Sequence, residues 1–371
     1  MDKSNSSLRS RWTALDIVRG LTIAVMILVN HPGDWGNLYA PLAHAEWHGA
    51  TPTDFIFPFF LFIVGVSIVL AFSRVLAKGE PAKSLYPKIG KRTFLLFVFG
   101  VGMGLMIHLL FGPDFRWVGV LQRIAVVYLV CSILFLNTSW KTQLITCVVL
   151  LVGYWLFLGF VPVPGTGSTG FAWEDNWASW FDRQYLPGAL YKKVHDPEGL
   201  LSTIPAIGTG ISGMLAGHLY LHLHDHHKLL RYFAGVGLGL VALGSLWDLH
   251  FPFNKNLWSS SYVVYTSGWA MLFLAGVTWL VDIKGWKWGV RPCLVFGANA
   301  ITVYLLAFVL TFPFALPLFG AEQSIQGWVL GELRNLPLNP KQLSLLWAVL
   351  YLAICYIPMD ILYRKRIFFK V

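Results

Sequence analysis

Ten runs of about 20 mostly apolar residues recur along the chain, each the length an α-helix needs to cross a bilayer's hydrocarbon core. They lie at 14–31, 53–73, 92–112, 118–136, 142–161, 199–220, 228–249, 261–281, 291–314 and 342–363. A backbone in lipid must satisfy its own hydrogen bonds, so spans are helices or closed barrels. No strand-like alternation competes with these runs, which excludes a β-barrel. Composition agrees: only 12% of the 371 residues are charged and mean hydropathy is +0.61, whereas a soluble domain carries about 25% charged residues. An ordinary cytosolic enzyme, a disordered chain and a small secreted scaffold are excluded. The expected fold is all-α: one polytopic integral membrane domain of about ten transmembrane helices in one bundle. No cleavable signal peptide is expected, because a polar loop and a second span follow the first apolar run.

The net charge of +10 would suggest nucleic acid in a soluble protein. Here the basic residues sit in short loops between apolar runs, where they set topology. With a cytoplasmic N-terminus, nineteen of the 28 Lys and Arg fall on the inside, among them Lys3, Arg9, Arg11, Arg74, Lys284, Arg291 and Arg364–Arg366, and seven outside. Both termini are therefore expected in the cytoplasm, with 1–13 and 364–371 as tails. Three outside segments are long, at 32–52, 162–198 and 315–341, and long loops on one face are where function concentrates. Cys131, Cys147, Cys293 and Cys355 lie in apolar runs without metal-like spacing and read as packing residues.

Ionisable groups at membrane depth are costly and are candidates for function. Asp16 and Arg19 share a helix face; they pair structurally or line the mouth of a ligand tunnel. Arg123, after Gln122, offers a planar donor fork suited to a phosphate or carbonyl, or pairs with a helix carboxylate. Asn30 and His31 close the first run; His44-Ala45-Glu46-Trp47-His48-Gly49 and Asp54 follow. A histidine can take and return a proton near neutral pH, and a carboxylate can orient its ring. The run His218, His222, His224, His226 and His227 looks like a metal site, but lies in a short turn with only Asp225 to help; a solvated loop is the preferred reading and no metal is expected. Segment 162–198 sets Trp173, Trp177 and Trp180 beside Glu174, Asp175 and Asp182. That pattern suits an amino sugar or an interfacial aromatic belt. Asp196-Pro197-Glu198 suits a helix entry or a cationic amine, and Asn254-Lys255-Asn256-Leu257-Trp258-Ser259 is a dense donor set at a loop lip.

Several short motifs occur in the order seen in one family: Leu15-Asp16-Ile17-Val18-Arg19-Gly20, Val29-Asn30, His44-Ala45-x-Trp47-x-Gly49-x-Thr51, Asp54-x-x-Phe57-Pro58-x-Phe60, Gly119-Val120-Leu121-Gln122-Arg123, Asp182-Arg183, Asp196-Pro197-Glu198-Gly199, Asn254-Lys255-Asn256-Leu257-Trp258-Ser259, and Asn299 before Val303-Tyr304. From about residue 13 to 365 the chain resembles the heparan-alpha-glucosaminide N-acetyltransferase family in its short bacterial form, and its first helix resembles the wider transmembrane acyltransferase group. The resemblance implies transfer of acetyl from cytoplasmic acetyl-CoA to a glucosamine amine across a bacterial cytoplasmic membrane, with a homodimer as a family-based expectation. It places the essential histidine on His44, with Asn30 and Asp54 as functional neighbours. His48 and His31 depart from the animal pattern. Arg19, Gln122, Arg123, Asn254, Lys255, Asn256, Trp258, Ser259 and Asn299 are the expected acetyl-CoA contacts. Glu198, Asp182, Trp47 and His48 are the expected sugar contacts. His44 would act as general base or as transient acyl carrier. The competing class is an amino-sugar permease without acyl-transfer chemistry.

Overall fold

The computed structural model describes residues 12–112, 114–223, 225–317 and 323–369. Lys3, Arg9, Arg11 and His224, used above, lie outside the described residues. Thirteen α-helices, and no strand, occur among the described residues: α1 Thr13–Asn30, α2 Ile56–Ala77, α3 Tyr86–Phe111, α4 Val120–Asn137, α5 Trp140–Phe160, α6 Trp177–Tyr185, α7 Thr203–His222, α8 His226–Asp248, α9 Ser260–Val277, α10 Val290–Ala298, α11 Ala300–Ala315, α12 Ile325–Leu333 and α13 Pro340–Arg364. Among the described residues, eight helical segments are long and apolar enough to span a bilayer, and the bent pair α10–α11 makes a ninth if counted as one span. The protein is an all-α polytopic membrane protein.

Local chemistry sets the helix ends. Ser139 caps α5 by accepting the N–H of Thr142. At α13, Asn339 and Gln342 form a reciprocal capping box with Pro340 at the first helical position, where the missing N–H costs nothing. A 3₁₀ turn, Pro52–Phe55, leads into α2, and it begins with another such box, formed by Thr51 and Asp54.

All ten expected segments are helical, with three changes. The segment 291–314 is two helices that meet at 85°. The break falls at Asn299, whose φ and ψ of −126° and 43° cannot continue an α-helix. The segment 199–220 begins only at Thr203, since 199–202 are turns. The helix that follows, α7, is not among the segments long and apolar enough to count as spans. Two short helices, α6 and α12, sit inside the long segments 162–198 and 315–341.

The chain divides into two compact units interleaved in sequence. The first takes in Trp12, Glu46–Gly49 and Leu61–Trp279; the second takes in Thr13–Ala45, Ala50–Phe60 and the described residues from Leu280 onward. In the first, α7 packs on α4, α5, α8 and α9. Glycine brings α7 close to α2 as well: a Cβ at Gly65 would lie 1.9 Å from the Gly210 carbonyl oxygen, and one at Gly213 would lie 1.9 Å from that of Phe62. Small residues are what let membrane helices approach this closely. In the second, α1 packs on α10, α11 and α13. Gly20 there faces the Cys293 carbonyl oxygen with only 1.7 Å for an added Cβ. All four cysteines are free thiols.

Candidate active site

In the second unit, the 3₁₀ turn ahead of α2 holds Asp54 fully buried. Asp54 Oδ1 meets His44 Nδ1 at 2.6 Å. Its Oδ2 accepts the backbone N–H groups of Ala45 and Thr51, each at 3.0 Å, and lies 3.0 Å from the Thr51 hydroxyl. That hydroxyl also reaches the Ala43 carbonyl at 2.6 Å, and Thr53 donates to the Pro41 carbonyl at 3.0 Å. The two threonines thus tie residues 41–45 to the helix entry. An ionised carboxylate only accepts, so the His44 proton sits on Nδ1 and the basic lone pair on Nε2. The His44 side chain is 46% exposed and that of Asp54 only 1%. A buried carboxylate thus aims a partly exposed imidazole, the arrangement that gives histidine its base chemistry.

The other expected residues of this unit take quieter places. Asn30 closes α1 with an exposed side chain. His31 stacks on Tyr351, with centroids 4.4 Å apart, and its Nδ1 lies 2.8 Å from the Ile27 carbonyl oxygen. Burial lowers its pKa, against hydrogen bonds to backbone carbonyls, so the ring serves as neutral packing. Arg19 donates to Asp16 at 2.6 Å and to the Gly297 carbonyl at 2.8 Å, so the pair on α1 also ties down the end of α10. Asn299 donates to the Ile367 carbonyl at 3.1 Å and accepts the Phe369 N–H at 3.0 Å. It holds the chain after α13 against the α10–α11 break.

In the first unit the polar residues form a second cluster. Arg116 binds Asp196 through Nε at 2.6 Å and, more closely, through Nη2, which also reaches Glu198 at 2.5 Å. Burial opposes the Arg116 charge, but Asp196 and Glu198 outweigh it and hold its pKa above the usual range. Asp182, buried on α6, accepts the N–H of Leu200 at 3.0 Å and of Asp196 at 3.3 Å. Burial, more than these donors can offset, pushes its pKa up to about 6. Asp182 and Glu198, expected at the sugar, are thus both engaged by protein groups. Arg123 on α4 is fully buried, donates to Ser202 Oγ and, at 3.2 Å, to the Gly199 carbonyl, and lies over the Trp258 ring at 5.1 Å. Among the described residues, its Nε and Nη1 have no hydrogen-bond partner. Gln122 beside it donates to the Trp117 carbonyl at 3.2 Å.

The segment 254–259 folds on itself. Asn254 Oδ1 accepts the Leu257 N–H at 2.8 Å, and Ser259 Oγ accepts the Asn254 N–H at 3.0 Å. Trp258 adopts a left-handed φ of 52° and donates its indole N–H to Thr209 at 3.0 Å. Lys255 and Asn256 are half-buried. Asn254 Nδ2 approaches His48 Nδ1 at 3.4 Å. Burial lowers the His48 pKa, against the pull of Asp248. Trp47 donates to the Phe171 carbonyl at 2.8 Å and packs beside Trp173 and His195, at centroid distances of 4.9 and 5.0 Å.

Two central residues of this cluster, Arg116 and His195, are not among the sequence-derived candidates. Arg116 could have been found by asking which cation neutralises Asp196 and Glu198. His195 carries no signal beyond standing next to Asp196. Among the described residues, no group of three or more His, Cys, Asp or Glu side chains is placed to hold a metal ion. His218, from the histidine-rich run, meets Gln143 at 3.0 Å instead.

Residues 11–237 match the family described as heparan-alpha-glucosaminide N-acetyltransferase, catalytic. The chain is 32% identical to the heparan-alpha-glucosaminide N-acetyltransferase of Homo sapiens, covering 99% of this chain and 61% of that protein. It is 30% identical to the Mus musculus protein of the same name, over 100% of this chain and 62% of that protein. The chain therefore spans about three fifths of the length of these relatives.

Proposed function

The chain belongs to the heparan-alpha-glucosaminide N-acetyltransferase family, and from that membership we propose that it moves an acetyl group from acetyl-CoA to the amine of a glucosamine-type acceptor. The observation that carries this reading is the His44 Nδ1–Asp54 Oδ1 contact of 2.6 Å: family membership gives the reaction class, and this pair supplies the base the reaction needs. An amine attacks a thioester only as the neutral form. His44 Nε2 takes a proton from the attacking nitrogen, and Asp54 stabilises the imidazolium that forms. The C–N bond forms as the C–S bond breaks. The coenzyme A thiolate then takes the proton from the imidazolium and leaves as the thiol. Asn30 donates to the carbonyl oxygen as negative charge develops there.

Acetyl-CoA approaches from the cytoplasm in this reading, and the acceptor from the far side; the excess of Lys and Arg on the inside loops supports that orientation. A bacterial cytoplasmic membrane is its proposed location. Of the residues assigned to acetyl-CoA, Arg123 is the best supported: its two unused nitrogens suit a carbonyl or phosphate oxygen. Gln122, Asn254, Lys255, Asn256, Trp258 and Ser259 are its proposed companions in the first unit. Arg19 and Asn299 are weaker assignments, because each is already bonded within the second unit. Trp47 and His48 are assigned to the sugar, and Glu198 and Asp182 to the scaffold behind it. A homodimer remains part of the proposal.

The test is thiol release by purified protein in detergent, given acetyl-CoA with and without D-glucosamine. Release that needs the amine and vanishes in His44→Ala supports the proposal. Uptake of labelled glucosamine into liposomes without thiol release would make the chain a permease. Acetyl on His44 after labelled acetyl-CoA is supplied alone would make the histidine a covalent carrier rather than a base.

A further inference from the structure

His195 is 2% exposed, yet neither ring nitrogen has a hydrogen-bond partner among the described residues. The Asn256 side chain lies beside the ring and favours its protonated form. The walls around it are aromatic: Trp47 and Trp173 meet the imidazole edge-on at 5.0 and 4.7 Å and each other at 4.9 Å. Buried polar groups are nearly always satisfied, and one that is not calls for an explanation. Both walls are anchored, one by its ring and the other by its backbone. Trp47 is fixed by its indole N–H on the Phe171 carbonyl, and the backbone of Trp173 is fixed by the Asn176 amide on its carbonyl at 3.3 Å. Trp173 as a whole is only half-buried. It can therefore turn about its side-chain bonds while its backbone stays in place.

We propose that Trp47, Trp173 and His195 form a gated subsite for the ring of a cationic amino sugar, with His195 as the residue that recognises its hydroxyls. The Trp173 ring swings aside to admit the sugar and then closes on its C–H face. The sugar takes up the hydrogen bonds that His195 lacks in the closed box. Neutral imidazole has one donor and one acceptor, so it can pair with two hydroxyl groups. Burial holds the His195 pKa down to about 4, outweighing Asn256 and Asp196. At neutral pH the ring then carries no charge to repel an incoming ammonium, while indole faces attract one. The amino-sugar class rests on the acetyl-transfer reading above; the existence of the subsite does not.

The experiment measures binding of D-glucosamine alone, without acetyl-CoA, by equilibrium dialysis with labelled sugar on the full chain in detergent. Wild type should bind saturably. His195→Phe keeps the ring and removes both nitrogens, and should weaken binding tenfold or more. His195→Gln should recover part of the loss, and cyclohexylamine, which lacks hydroxyls, should compete equally well for both proteins. The KM for acetyl-CoA should be unchanged. If His195→Phe fails to fold, Trp173→Ala replaces it, with the same tenfold loss expected. Equal glucosamine affinity in wild type and in the folded variant would overturn the proposal, as would no saturable binding to wild type. Binding that depends on His195, in a protein that releases no thiol from acetyl-CoA, would keep the subsite and reject the acetyltransferase.

Discussion

The two polar clusters use their carboxylates in opposite ways. Around Asp54 the partners are backbone N–H groups, a hydroxyl and one imidazole, and the carboxylate's charge is directed at a ring that is nearly half exposed. Around Asp196 and Glu198 the charge is spent on Arg116, and Asp182 spends its own on the turn that carries them. The first cluster turns a carboxylate toward an imidazole that is partly exposed. The second holds a loop in shape and, among the described residues, leaves Arg123 Nε and Nη1 and both His195 ring nitrogens without a hydrogen-bond partner. Acidic residues in a sequence thus do not mark chemistry by their number. What matters is whether their partners are already inside the protein.

The sharpest way to break this contrast is at His44. His44→Ala should lower thiol release about 10³-fold, within the range of lost general base catalysis, with an unchanged melting temperature; a fall below tenfold would move the base elsewhere. Next comes Arg116→Met, which strands the buried carboxylate of Asp196 and the half-buried one of Glu198 and should destabilise the protein by about 3 kcal/mol. That is the low end for breaking a buried pair, because the Arg116 side chain is 25% exposed. It should appear as a lower melting temperature, with little change in turnover at temperatures where the variant is folded. Asp54→Asn should cost about 10²-fold in turnover, because an amide no longer fixes the imidazole tautomer. Asn299→Ala should cost about 1–2 kcal/mol, the worth of two hydrogen bonds. A raised KM for acetyl-CoA at unchanged stability would instead show that Asn299 serves the ligand.

The smallest effect is one of pH. Asp182 is held at about 6 in the fold, above an ordinary aspartate, so its contribution is greatest below about pH 4 and is lost as pH rises through 6. His195 is lowered to about 4; its unfolded form binds the extra proton, so its contribution grows as pH rises from 4 toward 6.5. The two slopes oppose each other, and the melting temperature should be nearly flat in this window. Asp182→Asn should make it climb with pH, and His195→Gln should make it fall. Parallel profiles for the two variants would contradict the assignment.

Much of the architecture was legible because a membrane span is a local property: twenty apolar residues announce themselves without reference to any neighbour. The turn at Asn299 was not, since Gly297-Ala298-Asn299 interrupts neither the apolar run nor any helix-breaking rule, and its cause lies in bonds to residues 367 and 369. The nine-residue helices α6 and α12 were too short to show a period. Residues 44 and 54, whose contact is seen only in the fold, stood out through the cluster of histidines and carboxylates they belong to and through the motifs the chain shares with its family. Arg116 did not, because its acids lie 80 and 82 positions away, and it looked like one more loop cation.

The Asp54 carboxylate has two duties that a sequence change cannot separate. It closes the capping box at the entry to α2 and it steers the His44 ring. A shift of one residue in where that helix starts would therefore retune the reactivity of the imidazole as well as the anchoring of the span. Heating should accordingly quench turnover at the temperature where the first turn of this helix frays, before the rest of the protein melts.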